Sequence, residues 1–93
     1  MIPHSIASYL RYPLYKLYYL HDIEGYNGMS PEDVAAFRRD YDSDIRQGIV
    51  DALRWVGENP DADLTEVLPK LPCSNEAIHT YAGKILRSLE AGV

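Results

Sequence analysis

Cysteine is nearly missing from this chain of 93 residues: Cys73 stands alone, so no internal disulfide forms and paired cysteines cannot build a zinc site. Phenylalanine is as scarce, with one residue against eight tyrosines. No apolar run reaches the length of a membrane span, because the longest apolar-looking stretch, residues 9–20, is interrupted by Arg11, Pro13 and Lys16. The first residues lack the basic, apolar and small-residue succession of a secretory signal. Together with the cysteine usage, this predicts a soluble protein of the reducing cytoplasm. Cations are also in deficit: 9 Lys and Arg face 14 Asp and Glu, for a net charge of −5. That balance argues against general binding to nucleic acid or anionic membrane, since both need cations to displace counterions.

Catalytic and metal-binding patterns are missing too. His4, His21 and His79 are scattered, without metal-ligand spacing. Asp40, Asp42, Asp44 and Asp51 fall at the first, third, fifth and twelfth places of a calcium-loop spacing. However, Ile45 occupies the place that needs glycine, and aspartate replaces the bidentate glutamate at the end. No glycine-rich loop cradles a phosphate. Cys73 lies among the turn-forming Pro69 and Pro72 and the capping Ser74, which reads as structural. The expectation is a protein with no enzymatic activity, cofactor or metal.

What is present fits one domain, 1–93. Hydrophobic residues are 46% and charged residues 25% of the chain, which predicts a packed core and not disorder. Every segment between breaks shows helical periodicity, so the fold class is all-α: a small irregular bundle of three long helices and one short helix. The first helix is predicted over residues 5–22, with Pro13 kinking it or starting its main part. Residues 25–28 form a turn. The second helix starts with Ser30 as N-cap, Pro31 at the first helical position, and Glu32 and Asp33 at the positive end of the dipole. It runs to about residue 57, where Asn59 and Pro60 stop it, with a local weak point at 42–44. Asp61 or Asp63 caps a short turn over 64–68. Ser74 caps the last helix, 75–90, and Gly92 ends it.

Projected at about 100° per residue, Ile6, Leu10, Leu14, Leu17 and Leu20 share the core face of the first helix. Tyr12, Tyr15 and Tyr19 fall on the other side, with Tyr9 at the margin and Tyr18 further round. Two destinations are open to these rings: a core, if the helix is buried all round, or an exposed interaction surface. Phenol hydroxyls need partners when buried, and tyrosine is enriched at interfaces, so the second is favoured. In the second helix Val34, Phe37, Tyr41, Ile45, Ile49, Ala52, Leu53 and Val56 form the core stripe. Beside it Asp33, Asp40, Asp44, Asp51 and Glu58 stack along one edge, and Arg38, Arg39 and Arg46 take the opposite flank. The edge is either an ordinary solvated face or an acidic ridge for a basic partner. It lies within residues 31–66, where ten acids and four arginines give −6. The predicted core also includes Ile78, Ile85, Leu86 and Leu89 of the last helix.

The residues nominated for partner binding are therefore Tyr12, Tyr15, Tyr19, Asp40, Asp44, Asp51 and Glu58. In size, acidity and helical pattern the chain resembles the bacterial immunity proteins, which neutralise cognate toxins such as cationic nucleases through acidic and aromatic surfaces. The resemblance implies a basic toxin domain as the protein partner and inhibition as the function. Two other readings stand beside it. Residues 64–89 could form a helix-turn-helix-like half of a small regulator or adaptor, with Lys84 and Arg87 reaching phosphates, although the acidity of the chain weighs against nucleic acid. Alternatively, the tyrosine face serves homo-oligomer formation.

Overall fold

The computed structural model describes residues 2–20, 22–23 and 25–91, and the regular structure among these residues is helical, with no strand. Four α-helices follow in order: α1 (His4–Leu14), α2 (Pro31–Asp40), α3 (Ser43–Glu58) and α4 (Asn75–Ala91). Two 3-10 turns, Tyr15–Tyr18 and Leu64–Glu66, complete the set. His21 and Gly92 lie outside the described residues, and with them the predicted glycine stop of the last helix.

The first predicted helix proves shorter. Pro13 sits in the last turn of α1 and has no N–H to give the Tyr9 carbonyl, and the chain tightens to 3-10 geometry from Tyr15. A larger correction concerns the second helix, which is two helices and not one. Tyr41 is extended, at φ −120° and ψ 138°, and Asp42 caps α3 by accepting the Ile45 N–H at 3.0 Å. The carboxylate satisfies an orphan donor of a new helix, and here this local bond wins over continuing the old one. The three long helices with one short one are thus replaced by α1 and α2 of 11 and 10 residues and α3 and α4 of 16 and 17.

The core lies where α1, α3 and α4 meet. Leu10, Leu14, Leu17, Ile49, Leu53, Ile78, Ile85 and Leu89 are buried there as predicted, joined by Leu64 of the second 3-10 turn and Val67 directly after it. Phe37, Ile45 and Leu86, expected in the core, are only half-buried at its margin. Close approach of α1 to α3 depends on Gly48, against whose Cα the Tyr9 ring lies. A buried ring appears where none was expected: Tyr81, 2% exposed, donates its hydroxyl to the Pro13 carbonyl at 2.9 Å and so ties α4 to the end of α1.

Loops are fastened to α4. Lys84 Nζ donates to the Tyr26 carbonyl at 2.7 Å, and Met29 N–H donates to Ser88 Oγ at 2.9 Å. Gly28 between them has φ +106°, and a side chain there would also strike Ser88. Asn75 accepts the Leu64 N–H and donates to the Ala62 carbonyl, to which His79 Nε2–H donates as well. By contrast, α2 is held lightly. Its Ser30–Asp33 capping box is complete, but none of its residues is fully buried.

Candidate functional site: a tyrosine surface and an acidic cleft

Four tyrosines at the end of α1 and in the 3-10 turn are exposed: Tyr12, Tyr15, Tyr18 and Tyr19, at 42, 53, 37 and 68%. Tyr15 meets Tyr18 edge-on at 5.7 Å between ring centres and lies 5.8 Å from Tyr19. The Tyr15 and Tyr19 hydroxyls are 3.3 Å apart, and this hydrogen bond is the main reason the Tyr19 pKa is raised. Tyr18 belongs to the surface because residues three apart eclipse in a 3-10 helix, whereas an α-helical projection turns it away. Its hydroxyl donates to the Pro69 carbonyl, which anchors the turn to the loop before α4.

The helix break extends this surface. Turning outward at Tyr41 brings that ring against Tyr12, edge-on at 5.2 Å, with Phe37 next to it at 5.4 Å. Behind these rings, between α2 and the rest of the molecule, opens a cleft of about 200 Å³ that reaches down to the buried Ile49 and Ile85. The stripe of α2 that lines it is Asp33, Ala36, Phe37 and Asp40, at the spacing of one helix face, with Ala36 and Phe37 half-buried and the two aspartates exposed. Tyr26 lines the cleft from the loop; burial, with Asp33 adding to it, raises its pKa.

The nominated carboxylates do not form one edge. Asp40 ends α2, lines the cleft and pairs with Arg39 at 3.2 Å. Asp44, Asp51 and Glu58 stack on α3, roughly 140–200° round the helix from the inward Ile49, and all three are exposed. The break at Tyr41–Asp42 is what separates them, since it resets the helical phase. Nor is the α3 edge free of cations: Arg54 lies 3.9 Å from Asp51 and 3.2 Å from Glu90, while Gln47 donates to Asp51 at 2.8 Å. Exposed pairs of this kind are worth about 0–1 kcal/mol each, so the edge keeps its acidic character in solution.

The structure therefore brings Tyr12 and Asp40 to one cleft, gathers Tyr15 and Tyr19 beside it, and leaves Asp44, Asp51 and Glu58 on a separate outer face. Tyr18, Tyr41 and Asp33 join the site without having been nominated. The helix-turn-helix expectation loses its first helix, for Leu64–Glu66 is a single 3-10 turn of three residues. Lys84, its supposed phosphate contact, is engaged with the Tyr26 carbonyl. Among the described residues no three His, Cys, Asp or Glu side chains cluster to hold a metal ion, and no helix is long and apolar enough to cross a membrane. No protein-family model, curated protein or solved structure matches this chain.

Proposed function

We propose that this chain is a protein–protein interaction module that binds and neutralises a basic toxin domain, in the manner of the immunity proteins it resembles. The observation that carries the reading is the group of exposed rings Tyr12, Tyr15, Tyr18 and Tyr19, with the half-buried Tyr41 against Tyr12 and a shallow groove shared by Tyr12, Tyr15 and Tyr41. Rings of this kind supply large contact area with a polar tip at small entropic cost. Asp33 and Asp40 lie beside it at the cleft, and Asp44, Asp51 and Glu58 on the separate outer face of α3 add to the acidity, which favours a cationic partner and speeds encounter with it. Inhibition by occupying a binding face requires no cofactor and no catalytic group of this chain. Action in the cytoplasm is part of the same reading.

Immunity proteins are encoded beside their toxins, so the partner to test is the C-terminal domain of the product of the adjacent reading frame. Tyr15→Ala with Tyr19→Ala leaves the fold within about 0.5 kcal/mol per site, because both rings are exposed. The same change weakens binding by about 2 kcal/mol or more, roughly 30-fold, as measured by calorimetry. A folded double variant with full affinity refutes docking through this surface. Dimerisation of the chain alone, abolished by the same double variant in sedimentation, assigns the surface to self-association instead.

A further inference from the structure

We infer that the cleft beneath α2 is an anchor site for one arginine side chain of the basic partner, an inference that rests on the docking reading above. Size is the first argument. Pockets for drug-sized ligands and cofactors run about 300–1,000 Å³, so a cleft of about 200 Å³ suits a single side chain. The lining is the second. The stripe of α2 that lines the cleft carries two carboxylates, Asp33 and Asp40, one on either side of Phe37, and both are exposed to solvent. Filling the cleft with an apolar group would strip water from two carboxylates without compensation, whereas a cation supplies it.

Each carboxylate has an oxygen to give. Asp33 accepts the Ser30 N–H through Oδ2, and Asp40 accepts Arg39 Nε–H through Oδ1. The second oxygen of each has no hydrogen-bond partner among the described residues. Lys16 also lines the cleft and is bonded to neither, so two carboxylates and one ammonium give the lining a charge of −1, with Arg39 outside it paired to Asp40. The walls add the third argument, for Tyr12, Tyr41 and Phe37 present rings within one cluster. A guanidinium stacks on such rings and bonds carboxylates through its planar fork, while an ammonium does only the equivalent of a point charge. Admission is provided for: α2 has no fully buried residue, the positive-φ Gly28 stands two residues before its Ser30 cap, and the extended Tyr41 follows its last residue.

The test titrates the labelled protein with N-acetyl-arginine N-methylamide and with its neutral citrulline counterpart, following backbone amide shifts by NMR. Saturable shifts at residues 12–16 and 33–41 are expected, with citrulline weaker by about tenfold or more, as befits loss of a charged hydrogen bond. Asp33→Asn with Asp40→Asn should weaken arginine binding by a similar factor. The amide oxygen at 33 still accepts the Ser30 N–H, and an unchanged melting curve shows that α2 persists. No saturable shift in the cleft, equal binding of citrulline, or full affinity in the folded double variant overturns the inference. Because the probe is not the partner, the two readings fail separately. A toxin domain that depends on Tyr15 and Tyr19 but ignores the Asp33 and Asp40 changes refutes the arginine anchor alone, and arginine binding without any toxin complex refutes the docking reading alone.

Discussion

Tyr81→Phe isolates one hydrogen bond that joins the two ends of the fold. Phenylalanine keeps the ring and its packing, so the roughly 3–5 kcal/mol cost of truncating a large core side chain does not arise. What disappears is the hydroxyl that donates to the Pro13 carbonyl at 2.9 Å, in a place where Tyr81 is 2% exposed and Pro13 is buried. A buried acceptor deprived of its donor costs about 1–3 kcal/mol. For a domain of this length each kcal/mol lowers the melting temperature by about 4–8 °C, so a fall of at least about 4 °C is expected at pH 7. Alkaline pH offers an independent reading of the same group. Burial, with Tyr26 and Cys73 adding to it, holds the Tyr81 proton well above the ordinary value of 10.0. The unfolded chain therefore loses this proton near pH 10 while the folded chain keeps it. The contribution is complete below pH 10 and is lost as pH rises from there through the folded value, at up to about 1.4 kcal/mol per pH unit. The variant lacks that term, so its urea stability should decline less steeply above pH 10. A variant as stable as the parent at pH 7, with an equally steep alkaline decline, would refute the reasoning.

Gly48→Ala decides whether close helix approach or helix propensity matters more in α3. Alanine is the better helix former by about 1 kcal/mol, yet its Cβ would stand 2.4 Å from two atoms of the Tyr9 ring. Overpacking of about 1–3 kcal/mol should win and lower the urea midpoint; a raised midpoint would show that α1 yields easily. Reversing Asp44, Asp51 and Glu58 to lysine tests the outer face of α3 against the partner by stopped-flow association. The on-rate should fall and its salt dependence flatten while the fold is retained, and a rate indifferent to both would exclude electrostatic steering by this edge.

The sequence by itself determined that the regular structure of the described residues is all helical, and it did so through local rules. Ser30 and Ser74 cap where their oxygens reach the third N–H onward, and the apolar rows of α1 and α3 repeat at the helical period because each helix has one side to bury. It also marked the two surfaces by composition, the tyrosines of α1 and the acids of residues 31–66. The division of the second helix was half legible: residues 42–44 stand out as a weak point, but a capping aspartate in mid-pattern and a solvated one look alike until the next helix takes its direction. Tertiary structure decided the rest. Tyr81 lies on a helix whose own pattern does not distinguish it, and its acceptor is 68 residues away in sequence. Tyr41 joins Tyr12, and Asp33 and Asp40 line a cleft, only because the break at Tyr41 sets α2 over a space whose other walls come from α1, α3 and α4. Periodicity reports which side of one element is apolar. Which faces converge, and which polar atoms find each other, depends on how the elements cross, and no single element carries that information.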